Sequence, residues 1–306
     1  MSFRSEKFLS FKADKNITQQ DFLATSSEEE IGDIFLEVLY SGVHGFCFSP
    51  YEEGQKPGDT LTETQIRRRL QILNKYTKWV RSFSCTEGNE LIPKIAKEYG
   101  MQILVGAWLG TDKEKNKVEL ENLIQLCNEG FVDIAAVGNE VLYRKDLSED
   151  ELLEYISMVK SATNNIPVGY VDAYYEFVQK PKIVAMCDVI LCNCYPFWEG
   201  TPVDFSLQHM KNMFQQAKQA GNGKKVIITE TGWPSSGDDL GGAVPSETHA
   251  IKHFINTQLW SSDEDIEVFY FSSFDESWKV GGEGSVGAYW GVWDSQEKLK
   301  YVKKSD

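Results

Sequence analysis

The chain has 306 residues, 42% hydrophobic and 25% charged, an ordinary globular composition that lets it bury roughly three quarters of its unfolded surface. Its 31 basic and 46 acidic residues give a formal charge of −15, which repels phosphate backbones and anionic lipid and excludes nucleic acid and membrane surfaces as expected partners. No apolar run approaches the ~18 residues of a membrane span, and the start, MSFRSEKFLSFKADKN, lacks the apolar core and cleavage site of a secretory leader. The expectation is an intracellular protein, or a periplasmic or secreted one whose leader has been removed.

Residues 1–42 precede the first β-rich run, and SSEEEIGDIFLEVLYSG (26–42) reads as an extra amphipathic helix packing on the rest of the molecule. VHGFCFSPY (43–51) is the first of eight β-rich runs. In TETQIRRRLQILNKY, Ile66, Leu70 and Leu73 recur at helical spacing, with Arg67, Arg68 and Arg69 as a solvated face. KWVRSFS (78–84) and QILVGAWLG (102–110) flank the helix pattern NELIPKIAKEY, whose Pro93 fits only near a first turn. DIAAVGNE (133–140) leads to a capping-box pattern, Ser148 with Glu151, ahead of Leu152. The remaining runs are IPVGYVDAYY (166–175), DVILCNCYP (188–196), KVIITETGWP (225–234) and IEVFYFSSFDE (266–276). Ser206 and Ser246 are candidate helix N-caps, and Gly100, Gly130 and Gly221 stand where C′ glycines are expected.

Eight continuous apolar runs separated by helices predict parallel strands with right-handed crossovers. Closed, they make a (β/α)8 TIM barrel of the α/β class, a single catalytic domain over 43–306. The six cysteines (Cys47, Cys85, Cys127, Cys187, Cys192, Cys194) lie mostly in apolar runs without CxxC spacing, which predicts buried small hydrophobes rather than disulfides. Four scattered histidines and no HExxH motif give no expected metal site.

In such a barrel the polar groups at strand C-termini converge on one face. Here they are Ser49 and Tyr51, Arg81 and Ser82, Trp108, Asn139 and Glu140, Asp172 and Tyr174, Asn193 and Tyr195, Glu230 and Trp233, then Asp275 and Glu276. A single strand-end glutamate is best read as a buried acid paired with Arg or Lys. Two of them, at the ends of the fourth and seventh runs, suit a glycosidase: about 5–5.5 Å of separation for retention, ~6.5–9.5 Å for inversion. Trp108, Tyr174, Tyr195, Trp198, Trp233, Trp278 and Trp290 offer flat faces for sugar rings. Arg81 either contacts a sugar or anchors an acid; Trp79 and Trp260 read as packing and Trp293 stays open.

Two motifs carry a resemblance. VGNEVLYR (137–144) resembles the acid/base strand, and ITETGWPSSG (228–237) the nucleophile strand, of glycoside hydrolase family 17, the β-1,3-glucanase family of barrels with glutamates on strands four and seven. VRSFS (80–84), NCYPFW (193–198), AVPSE (243–247), FDESWK (274–279) and GAYWGVWD (287–294) follow in the family's order, so the likeness spans about residues 43–294. GFCFSPYEEGQKPG replaces the family's usual glycine-tyrosine opening and is closer to the fungal and bacterial branches, while residues 1–42 match nothing in the family.

The resemblance implies a retaining hydrolase of laminarin-type β-1,3-glucan chains or oligosaccharides; no cofactor and no metal are expected because both catalytic groups are side chains, and the oligomeric state stays open with a monomer favoured. It implies Glu230 as nucleophile and Glu140 as acid/base, Asn139 holding the sugar 2-hydroxyl, Tyr195 hydrogen-bonding Glu230, and Asp275, Glu276 and Lys279 tuning the acid/base. Substrate contacts are expected at Tyr51, Arg81, Trp108, Tyr174, Asn193, Trp198, Trp233 and Trp278. The same site would serve a β-1,3-glucanosyltransferase that hands the glycosyl group to another sugar. A barrel that only binds glucan is a third reading, disfavoured because a binder gains nothing from two mutually repelling carboxylates. GGEGSVG (281–287) has the glycines of a phosphate cup, but Glu283 within it favours a substrate loop. Retention further predicts a Glu140 carboxyl raised by partial burial and by carboxylates such as Glu276, and a Glu230 kept ionised by Tyr195 and neighbouring amides.

Overall fold

The computed structural model describes Leu23 and residues 26–301. Of the 1–42 extension, residues 1–22, 24 and 25 therefore lie outside the described residues. What is described begins with helix α1 (Glu28–Ser41), opened by a capping box between Ser27 and Glu30. Eight parallel strands follow: β1 (Val43–Cys47), β2 (Thr77–Ser82), β3 (Gln102–Ala107), β4 (Ile134–Asn139), β5 (Val168–Ala173), β6 (Val189–Asn193), β7 (Val226–Thr231) and β8 (Val268–Tyr270). Each pairs with the next and β8 pairs with β1, closing the TIM barrel that the alternating runs predict.

The crossovers are α2 (Glu63–Leu73), α3 (Leu91–Glu98), α4 (Lys113–Asn128), α5 (Glu149–Ala162), a split pair α6 (Tyr174–Gln179) and α7 (Pro181–Met186), α8 (Val203–Ala220) and α9 (Glu247–Asp263). Beyond β8 lie a short 3-10 turn (Ser277–Lys279) and α10 (Val280–Glu283). Ser148 with Glu151 makes the expected capping box, and Ser246 accepts the His249 N–H as an N-cap. Pro93 occupies the third position of α3, where its missing N–H costs no helical bond.

Alternation along the strands builds two cores. Cys47, Leu104, Ala136, Val171, Leu191, Ile227 and Phe269 fill the barrel interior, while Phe46, Val80, Ile103, Val137, Tyr170, Ile190 and Val268 face the helices. α1 joins the outer core by packing on α9, Phe35 meeting Phe254 edge-on at 5.2 Å. All six cysteines are free and buried. Among the described residues no helix is long and apolar enough to cross a membrane.

Four local expectations need correction. Ser206 is no N-cap: Pro202 precedes α8, and Ser206 sits buried inside the helix with its hydroxyl 3.3 Å from His253 Nδ1. Gly221 is the C-cap of α8 with φ −63°, and the left-handed positions fall on Asn222 and Gly223 instead. Arg69 leaves the solvated face. It is fully buried, donating to Tyr51 O at 2.9 Å and to Glu297 at 2.9 Å, with its guanidinium 4.5 Å from the Phe274 ring centre. Tyr174 and Tyr175 begin α6 rather than ending β5.

Candidate active site

Both glutamates stand where the strand pairing goes irregular. β6 and β7 shift register between Cys192 and Asn193, and β7 and β8 between Ile228 and Thr231. The shift lets two consecutive residues of β7 turn inward. Thr229 Oγ1 donates to Asn193 Oδ1 at 2.9 Å, Glu230 lines the cleft, and only Thr231 returns to the helix side, 3.1 Å from His253 Nε2. Gly232 follows because a Cβ there would lie 1.9 Å from Phe271 O.

Glu230 is 6% exposed and has two donors. Arg81 Nη1 donates to Oε1 at 2.6 Å and the Tyr195 hydroxyl to Oε2 at 2.8 Å. The guanidinium of Arg81 thus does the work expected of backbone amides. Its Nη2 donates to Asn139 Oδ1 at 2.7 Å, which leaves the Asn139 NH2 group as a donor at the cleft wall.

Glu140 lies one residue past β4, after Gly138 (φ 85°) and a register shift between Ala136 and Asn139, and its own φ is 53°. Its N–H donates to Val171 O at 2.8 Å, and its Oε1 accepts from Asn193 Nδ2 at 2.8 Å. Burial first, then the Glu230 carboxylate, push the Glu140 carboxyl up to about 7, against the Asn193 hydrogen bond and the Arg144 and Arg81 cations. The raising carboxylate is Glu230, in place of the expected Glu276.

Glu276 is instead buried beside Lys279: its oxygens accept from Ser49 Oγ at 2.5 Å, Trp278 Nε1 at 3.0 Å and Lys279 Nζ at 2.6 Å. Lys279 faces the cleft with its ammonium 4.0 Å from the Phe271 ring centre. Glu283 also lines the cleft, and burial raises its carboxyl to about 7. Asp275 is no part of this surround. It pairs with Lys300 at 2.9 Å and accepts the Gly291 N–H at 2.8 Å, on the tail side of β8.

The cleft encloses about 1140 Å³ over the C-terminal ends of the strands. Tyr51, Trp108, Tyr174, Asn193, Tyr195, Trp198 and Trp278 line it as expected. Arg81 and Trp233 do not. Arg81 is 2% exposed beneath Glu230, so of its two readings the acid anchor is the one realised. Trp233 is 1% exposed, its Nε1 donating to Val244 O at 3.0 Å, a packing residue of the β7 loop. Trp290 and Trp293 are likewise core.

Sequence reasoning missed two supports. Arg144, four residues after Glu140, caps the turn by donating to Asn139 O. Glu119 on α4 accepts from Thr86 Oγ1 at 2.6 Å, Cys85 N at 2.7 Å and Trp108 N at 3.1 Å, as well as from Ser84 Oγ, tying two strand-end loops together. The signal for Glu119 was there: it follows Asn116 by three on the face that buries Leu120 and Leu123, polar residues where an amphipathic helix should be apolar. One carboxyl near its titration midpoint at neutral pH, facing a second held by a cation and a phenol, is an acid/base and nucleophile set suited to acyl or glycosyl transfer.

Comparison with known proteins narrows that chemistry. The BtgE/BtgC glycoside hydrolase domain model matches residues 45–291. A glucan 1,3-beta-glucosidase of Candida albicans is 30% identical over 76% of this chain and 83% of its own length. The crystal structure of a glycoside hydrolase family 17 beta-1,3-glucanosyltransferase from Rhizomucor miehei superposes with a TM-score of 0.76 at 29% identity, covering 87% of this chain and 97% of that one. An active-site mutant of Rhizomucor miehei beta-1,3-glucanosyltransferase in complex with laminaritriose gives a TM-score of 0.77 at 28% identity, covering 86% and 98%.

Proposed function

This chain belongs to glycoside hydrolase family 17, and from that premise we propose that it cleaves β-1,3-glucan with retention, Glu230 acting as nucleophile and Glu140 as acid/base. The observation that carries the assignment is the contrast in the pair: a Glu140 carboxyl raised to about 7 beside a Glu230 carboxylate hydrogen-bonded by Arg81 and Tyr195.

Glu230 attacks the anomeric carbon while the bond to the departing oxygen breaks, and that oxygen takes the proton of Glu140. Ionised Glu140 then removes a proton from water, whose oxygen attacks the same carbon and frees Glu230. Two inversions give net retention. Asn139 donates its NH2 to the 2-hydroxyl of the sugar at the nucleophile, since Arg81 already occupies its carbonyl oxygen. Exposed Trp108 and half-buried Trp198 and Trp278 supply the flat walls along which a glucan chain lies, and the largely buried Tyr51 and Tyr174 complete the lining.

If a sugar hydroxyl replaces water in the second step, the same groups perform glucanosyl transfer. The likeness to the Rhizomucor miehei transferases gives that reading its support.

A time course on linear β-1,3-gluco-oligosaccharides, with product lengths read by mass spectrometry and the first-formed anomer by NMR, tests the proposal. Wild type should release β-anomers, and Glu230→Gln should lose at least about 10⁴-fold in kcat. Products longer than the substrate assign transfer. α-Anomers would overturn the retaining mechanism, and no turnover of any β-1,3-glucan would overturn the substrate.

A further inference from the structure

Arg144 reaches in two directions that catalysis by Glu140 and Glu230 does not use. On one side its Nη1 donates to Asn139 O, the carbonyl of the peptide unit whose N–H, that of Glu140, donates to Val171 O at 2.8 Å. Both ends of the Asn139–Glu140 peptide are therefore held. That peptide needs holding, because Glu140 adopts φ 53°, a left-handed conformation costing a non-glycine residue roughly 1–2 kcal/mol.

On the other side Nη2 of the same guanidinium donates to Leu109 O at 2.9 Å, and its carbon lies 4.6 Å from the centre of the Trp108 ring. Nε is anchored by Asp146 at 2.7 Å, so the fork has one orientation. Trp108 is 45% exposed and lines the cleft. Its main-chain N–H is fixed by Glu119, so the indole is a presented platform rather than a loose surface ring. Removing the guanidinium frees the Trp108 loop and the Glu140 turn together.

We propose that Arg144 is a positioning residue that couples a sugar-stacking platform at Trp108 to the turn carrying Glu140, so that a glucan chain long enough to lie on Trp108 sets the acid/base carboxyl in place. Binding energy gained at a remote ring is then spent at the reacting centre, and it appears in kcat rather than in KM alone. The inference rests on the β-1,3-glucan reading above and adds a length-dependent control of turnover to it.

The experiment measures kcat and KM separately for β-1,3-gluco-oligosaccharides of increasing length with wild type, Arg144→Lys and Trp108→Ala. Lysine keeps the charge and the fold but cannot bridge Asn139 O, Leu109 O and the indole at once. For wild type, kcat should climb about tenfold between chains too short to reach Trp108 and chains that cover it. Arg144→Lys should lose that climb while its KM still falls with length, because the platform remains; Trp108→Ala should lose both trends. Melting temperatures of the three proteins check that each is folded.

A kcat lowered by the same factor at every length in Arg144→Lys would mean a purely structural residue and overturn the coupling. So would a length-independent kcat in wild type that turns the oligosaccharides over. Wild type inactive on every length would instead remove the substrate reading, and the coupling with it.

Discussion

The ends of β7 and β4 carry the same side chain under opposite restraint. Glu230 is still within its strand, buried, with a donor on each oxygen and glycine behind it to let β8 approach. Glu140 is one residue beyond its strand, in a left-handed turn, with Asn193 donating to Oε1. A carboxylate proposed to attack must be ionised and in place when the substrate arrives and again when the ester breaks, which suits a pre-formed pair of donors. An acid/base must gain and lose a proton in each turnover, which suits burial opposed by neutral or distant partners. The difference in backbone matches the difference in the tasks proposed for the two.

That contrast can be broken from either side. Arg81→Met on the β7 side should have the largest combined effect on fold and activity: it strands Glu230 in the wall and releases Asn139, costing about 3–5 kcal/mol of stability by denaturant titration as well as about 10²–10³-fold in kcat. Glu140→Gln on the β4 side should cost about 10²–10⁴-fold on glucan, yet far less on an aryl glucoside whose leaving group needs no proton.

The same variant sharpens the pH argument. Wild-type kcat/KM should fall as pH rises through about 7, because only protonated Glu140 delivers a proton, and the limb should vanish in Glu140→Gln. For stability, the folded carboxyl sits at about 7 against an ordinary 4.5. The folded state therefore holds a proton that the unfolded state has lost, and stability declines as pH rises across that window. Glu140→Gln should melt higher than wild type at pH 8 and not at pH 4. Tyr195→Phe removes one of two donors and should cost about tenfold in kcat, with little change in KM. Trp233→Phe should be the mildest, lowering stability by about 1–2 kcal/mol through the lost Val244 bond and leaving kcat within about twofold.

The strands and both glutamates were legible because they are local facts: each β-rich run is continuous, and the motifs place Glu140 and Glu230 at the ends of the fourth and seventh. What was not legible is where long or distant side chains go. Arg81 reads as a strand-end cation, but only the closed barrel shows that β2 points it beneath β7. Asp275 sits one residue before Glu276 yet pairs with Lys300, a partner 25 residues away that no spacing rule connects. Trp233 belongs to the most specific motif and is buried all the same, since its indole finds an acceptor in the loop eleven residues on. Arg69 reads as the last of a solvated arginine run, but the tail brings Glu297 onto α2 and buries it. Motifs report chemistry that is near in sequence; burial is decided by what returns from far away.

The buried thiols lend the molecule a set of internal clocks. Cys47 lies against the strand of Glu230, where its Sγ donates to Thr229 O, Cys85 follows β2, Cys127 is on α4, Cys187 caps α7, and Cys192 and Cys194 flank Asn193. Burial raises Cys47, Cys127 and Cys187 to about 12, so a thiol reagent at neutral pH finds almost no thiolate at these three in the closed molecule. Labelling then proceeds only when a segment opens. Mass mapping of which cysteine is modified first would rank the sectors of the barrel by the ease with which each comes apart, without adding a single probe.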